Sequence, residues 1–167
     1  MDDSFDYQIL NLTQSFFDDY PDPPYTEIVR KSGRPYNCLL IQSHYGYFIC
    51  IPYRSHINHR YAYRFRYSLR SKKVKSGLDY SKIVIVTDGK YIGTRDAIID
   101  KDEYNETRDN IEYIKIDSQR YVAEYVGYIL GRATRYDAKE FARIYQYSTL
   151  QYFHKELGIT VFTAGQL

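Results

Sequence analysis

The segment "YNCLLIQSHYGYFICIPY", residues 36–53, limits the possible folds more than any other stretch of the chain. Two apolar runs flank a polar turn, the pattern of a β-hairpin. A turn centred on His44 and Tyr45 sets Cys38 opposite Ile51 and Cys50 opposite Leu39. In that register Tyr36, Cys38, Leu40, Ile49, Ile51 and Tyr53 share one face, and Leu39, Ile41, Phe48 and Cys50 share the other. Both faces are apolar and both must be covered, so the hairpin belongs at the centre of a domain. The chain has only these two cysteines, and the register points them to opposite faces. Buried free thiols are therefore expected in place of a disulfide. Pro52 predicts a bulge or an end to pairing at its position.

Around this centre the 167 residues predict one domain, residues 1–167, large enough to bury a core without a staple. "FDYQILNLTQSFF" predicts a strand running into a short helical turn, and "DDYPDPPY" an extended loop. "YAYRFRYSLRSKK" alternates aromatic and cationic residues as a strand would. "SKIVIVTDGKYIG" predicts a hairpin through Asp88 and Gly89, "DKDEYNETRDN" a short helix, and "IEYIKI" a further strand. Two amphipathic helices are expected at the end, over "DSQRYVAEYVGYILGRA" and "DAKEFARIYQYSTLQYFHKELG", the second capped by Asp137 and closed by Gly158. The expected class is α+β: antiparallel strands forming a partly closed barrel, with two helices C-terminal. No apolar run approaches the length of a membrane span, and the acidic opening "MDDSFDYQIL" lacks the features of a secretory signal, so a cytoplasmic protein is expected.

Charge carries the functional information. Residues 1–27 hold seven acids and no lysine or arginine, whereas residues 28–78, a run of 51, hold eleven bases and no acid. A merely solvated face mixes signs to limit self-repulsion, so this run points to an anionic partner, nucleic acid first. The competing reading pairs the acidic N-terminal segment with the basic run inside the protein. Tyrosine is abundant, 21 residues against no tryptophan. It suits half-buried strands and equally serves as a stacking platform for unpaired bases.

Within the basic run, "IPYRSHINHRYAYRF" gathers arginines, histidines and a serine. His56 and His59 stand at H-x-x-H spacing, but the run supplies no carboxylate and only strand-borne cysteines, so neither a zinc site nor a two-metal nuclease site follows from it. Ser55 has no glycine-rich elbow, which argues against a serine hydrolase. RNA needs neither device. Its 2′-OH can attack the adjacent phosphate when a base removes the proton, an acid protonates the departing 5′ oxygen and cations stabilise the phosphorane. Arg34, Arg54, Ser55, His56 and His59 supply every part of that list without a cofactor. Tyr36, Tyr53, Arg60, Tyr61, Arg64 and Arg66 would hold the strand. A non-catalytic RNA-binding module explains the same surface. A DNA-binding regulator built on the C-terminal helices fits less well, because those helices are charge-balanced.

"RPYNCLLIQSHYGYFICIPYRSHINHRYAYRF" followed by "GLDYSKIVIV" resembles the toxins of type III toxin-antitoxin systems, especially the TenpN branch, with more distant similarity to ToxN and AbiQ. The resemblance runs from about residue 5 to residue 155, and its most specific parts are "IPYRSHI" and "GLDYSK". It implies a strongly bent antiparallel sheet akin to Kid and MazF. It also implies a metal-independent endoribonuclease with a role in growth arrest and abortive infection of phage, inhibited by repeated RNA pseudoknots that it cuts from their precursor. Toxin and antitoxin RNA would close into a cyclic complex held together by RNA. By position, the resemblance places family residues on Pro52 and Ser55, a basic residue on Arg34 and a tyrosine on Tyr25. Where the ToxN branch has Thr-Ser-Pro-Lys, this chain has Arg54, Ser55, His56 and Ile57, so its lysine is missing. In "GLDYSK", Lys82 is the expected phosphate contact.

Overall fold

In the computed structural model the described residues are 7–31, 37–132 and 134–160. The strands are β1 (Tyr7–Leu12), β2 (Asn37–Gln42), β3 (Phe48–Arg54), β4 (Ala62–Arg64), β5 (Gly77–Asp79), β6 (Val84–Val86) and β7 (Ile92–Asp96). The helices are α1 (Gln14–Asp19), α2 (Leu69–Val74), α3 (Lys101–Asp109), α4 (Ile111–Ile129) and α5 (Ala138–Tyr145). The fold is α+β. Its antiparallel sheet has seven strands, runs β4-β5-β3-β2-β1-β7 with β6 also on β3, and is open.

The β2–β3 hairpin is the centre of the sheet, with Cys38 to Ile41 and Ile49 to Tyr53 all buried. Its register differs by one residue from the expected one: Cys38 pairs with Pro52 and Leu40 with Cys50. The loop has three residues, His44 to Gly46. The Ser43 amide donates to the Tyr47 carbonyl at 3.1 Å, and Gly46 takes a φ of 82° that disfavours any other residue. One more loop residue turns every side chain of one strand over relative to the other. Leu39, Ile41, Ile49, Ile51 and Tyr53 therefore share one face, while Cys38, Leu40, Cys50 and Pro52 share the other. The thiols lie on the same face, both buried and both free, and burial pushes the Cys50 thiol up, with Cys38 beside it adding to the shift.

Pro52 governs the other edge of β3. Phe48 to Cys50 pair with β6, and Tyr53 and Arg54 pair with β5. Between the two contacts, opposite the residue without an N–H, the chain leaves the sheet in a single 3-10 turn, Tyr80–Lys82. Asp79 caps that turn by accepting from the Ser81 amide at 3.0 Å. β4 and β5 approach so closely that a Cβ on Gly77 would lie 2.2 Å from the Tyr63 carbonyl oxygen.

Several expectations are corrected. Residues 111–116 are the first turns of α4: Ile114, Ser118, Tyr121, Val122 and Tyr125 are buried at helical spacing, and that longer period overrides the local alternation of "IEYIKI". Asp88 and Gly89 make no hairpin. The Asp88 carboxylate caps a 3-10 turn, Gly89–Tyr91, and the chain goes on to pair β7 with β1. The final helix is broken: α5 begins at its Asp137 cap but ends at Tyr145, and Ser148 caps a separate 3-10 turn, Thr149–Tyr152. The alternating strand is only Ala62–Arg64, because Ser68 accepts from the Ser71 amide and starts α2.

Candidate functional site

The interruption opposite Pro52 brings four polar side chains together. Arg54 ends β3, Asp79 ends β5, Ser81 lies in the 3-10 turn and His59 lies in the connection to β4. The Asp79 side chain is fully buried. It accepts from Arg54 Nη1 at 2.6 Å, from Ser81 Oγ at 2.6 Å and from His59 Nε2 at 3.3 Å. Burial pushes the Asp79 carboxyl up, but the hydrogen bonds from His59, Ser81 and Arg54 outweigh it and hold the group below its ordinary value. A carboxylate anion under an arginine and a histidine, each about one-third exposed, is the result.

The hydrogen bonds define the histidine tautomer. His59 Nδ1 accepts from the Tyr61 amide at 3.1 Å, so the ring proton resides on Nε2 and faces Asp79. The carboxylate orients the ring and leaves the lone pair on Nδ1 as its acceptor. Ser81 Oγ is 3.3 Å from Nε2, the nitrogen that carries the proton, and already donates to Asp79. It is not a serine activated for attack. The His59 ring is about one-third exposed and stacks on Tyr61 with centroids 5.9 Å apart.

The residues expected from the sequence divide into three groups. Arg54 and His59 meet at Asp79. Ser55 is half-exposed beside Arg54, and His56 is exposed at a φ of 59° with its amide bonded to the Val74 carbonyl; neither side chain hydrogen-bonds into the cluster. Arg34 and Tyr36 lie outside the described residues. Among the expected strand-holding residues, Arg60, Arg64 and Arg66 are exposed and pair with no carboxylate among the described residues. Tyr61 borders the cluster, and Tyr25 packs edge-on against Tyr20 and Tyr152. Tyr53 is a core residue, 2% exposed, with its hydroxyl 3.0 Å from Thr107. Lys82 forms a 2.6 Å ion pair with Glu27 and donates to the Tyr147 carbonyl, so its charge is already met.

Asp79 and Ser81 were not among the expected residues, although a signal was present: Asp79 is the first acid after the acid-free run. The tyrosines near the cluster are held as neutral phenols. Burial, then Glu106, pushes Tyr63 up, and burial, then Asp117, pushes Tyr80 up. Among the described residues no three His, Cys, Asp or Glu side chains converge as a metal site, and no helix is long and apolar enough to cross a membrane. Comparison with protein-family models, curated proteins and solved structures finds no match for this chain.

Proposed function

We propose that the protein is a metal-independent endoribonuclease that acts as the toxin of a type III toxin-antitoxin system, on a bent sheet of the Kid and MazF kind. The observation that carries the reading is the sharing of one buried carboxylate by His59 and Arg54, beside exposed arginines that pair with no carboxylate among the described residues. In the reaction the substrate 2′-OH takes the place of the Tyr61 amide at His59 Nδ1 and gives up its proton there. The freed oxygen attacks the adjacent phosphorus, the bond to the 5′ oxygen breaks, and that oxygen takes a proton from water. Asp79 stabilises the imidazolium, and the remaining Arg54 donors stabilise the phosphorane. Arg60, Arg64 and Arg66 guide the strand, and the same groove holds the pseudoknot antitoxin in a cyclic toxin-RNA complex.

The test has two arms. Expression without antitoxin RNA should arrest growth, and purified protein should cut RNA in EDTA to give 5′-hydroxyl and 2′,3′-cyclic phosphate ends, with His59→Ala reducing the rate about 10²- to 10⁴-fold. Binding without cleavage would make it an RNA-binding module, and a strict Mg²⁺ requirement with 5′-phosphate products would overturn the mechanism.

A further inference from the structure

A second concavity adjoins the cluster. It is a cleft of about 420 Å³ between the β3–β4 connection and helices α4 and α5, a size within the roughly 300–1,000 Å³ of small-ligand sites. Tyr61 is the shared wall, with the His59 ring on one side and the cleft on the other. Tyr80 connects the two sites through the backbone, because it lines the cleft while its neighbours Asp79 and Ser81 build the cluster.

Two buried hydroxyls in this cleft are poorly met among the described residues. The Tyr80 and Tyr121 hydroxyls are buried, on residues 2% and 6% exposed, and neither makes a hydrogen bond of ordinary length among the described residues, although Tyr80 faces Asp117 and Tyr121 faces Ser148. A poorly met buried hydroxyl is costly, and a ligand acceptor would relieve that cost. The carboxylates in the cleft differ in availability. Glu124 is occupied by Arg135 at 3.1 Å and by the Tyr136 hydroxyl at 2.6 Å. Asp117, about one-third exposed, makes one loose ion pair among the described residues, to Arg120 at 3.9 Å, and faces the Tyr80 hydroxyl.

We propose that this cleft binds a guanine base of the RNA strand, with Asp117 reading the base's Watson–Crick edge. The inference rests on the ribonuclease reading above. Guanine presents two adjacent donors, N1–H and N2–H, to the two oxygens of one carboxylate, and beside them the O6 acceptor to which a buried tyrosine hydroxyl can donate. Adenine and cytosine each set an acceptor nitrogen against the carboxylate, and uracil offers a single donor. Tyr61, Tyr136 and Tyr145 supply aromatic walls for stacking, and exposed Arg60 lies at the mouth for a flanking phosphate. The base would then sit next to the nucleotide whose phosphate lies on Arg54.

The experiment uses the full chain with 5′-GMP, 5′-AMP, 5′-CMP and 5′-UMP in saturation-transfer NMR, followed by cleavage of a randomised RNA pool. GMP should bind about tenfold or more tighter than the others, and cut sites should carry G at one fixed offset. Asp117→Asn replaces an acceptor pair by an acceptor and a donor, which matches the N6–H and N1 of adenine and the N4–H and N3 of cytosine, so both preferences should move from guanine to these two bases. Tyr121→Phe, which removes only a buried hydroxyl, should weaken GMP binding while leaving the melting temperature close to the wild-type value. Cleavage with no base preference at any offset overturns the guanine site and leaves the ribonuclease intact. GMP binding that depends on Asp117 in a protein that cuts no RNA upholds the guanine pocket and overturns the ribonuclease. GMP binding with no effect of G in the strand makes this a free-nucleotide site and overturns the proposal.

Discussion

The acid-free run folds into two regions that treat their charges differently. At the β3–β5 junction a buried carboxylate from outside the run receives the cation: Asp79 takes Arg54, and farther along Glu103 approaches Arg70 at 3.5 Å. Along the surface from Arg60 to Lys75, by contrast, Arg60, Arg64, Arg66, Lys72, Lys73 and Lys75 are exposed with no carboxylate partner among the described residues. Of the acidic N-terminal segment, Asp19 pairs with Lys90 and Glu27 with Lys82, both outside the run, while Asp2, Asp3 and Asp6 lie outside the described residues. A buried acid fixes the position of a cation and cancels its long-range field, whereas an unpaired surface cation keeps its field and its mobility. The first region can position chemistry, and the second can attract a polyanion.

The contrast is broken most severely at Asp79. Asp79→Asn removes the charge shared by Arg54, His59 and Ser81, so RNA cleavage should fall at least as far as in His59→Ala, about 10²- to 10⁴-fold. Unfolding in urea should show a loss of about 1–3 kcal/mol from the buried network. The pH dependence sharpens the same point. Because the folded Asp79 carboxyl is held below its ordinary value, its contribution is complete above the unfolded carboxylate pKa of about 3.9 and is lost as pH falls through the lower folded value. Urea midpoints measured from pH 6 downward should therefore drop more steeply in the wild type than in Asp79→Asn, and parallel curves would remove Asp79 as the charged centre.

Glu106 lies between the two regions in character. This buried residue of α3 accepts from the Tyr63 hydroxyl at 2.9 Å and from the amides of Arg66 and Tyr67, so it holds the backbone of the basic strip while leaving the Arg66 side chain free. Glu106→Gln keeps the shape but weakens at least one of these charge-assisted bonds. The expected outcome is a loss of about 1–2 kcal/mol in urea unfolding, with faster amide exchange at Arg66 and Tyr67. Exchange unchanged at both amides would show that the strip is held elsewhere.

The central hairpin and the pairing of Arg54 with His59 in one region were legible because apolar runs and clustered side chains are local signals. The register was not, since it depends on whether the turn holds two residues or three, and Gly46 decides that through a backbone angle. The α4 start was misread because six residues of alternation outweighed a helical period visible only across the whole of 111–129. Asp79 was missed for a different reason. Its role exists only because the interruption opposite Pro52 folds the turn at Tyr80–Lys82 back over Arg54, a contact 25 residues apart in sequence.

The smallest effects belong to the exposed strip, and they separate attraction from architecture. Single-stranded RNA releases about 0.7 counterions per phosphate contacted, so Arg64→Ala, Arg66→Ala and Lys72→Ala should each flatten the slope of log affinity against log salt by about that amount. None of the three side chains is buried or ion-paired among the described residues, so each should change unfolding free energy by less than about 0.5 kcal/mol. Fluorescence anisotropy on a labelled oligonucleotide at several salt concentrations, beside urea melts of the same variants, measures both quantities. A slope that stays at the wild-type value in all three variants would move the RNA path off this strip, and the strip's unpaired charges would then need another anionic partner.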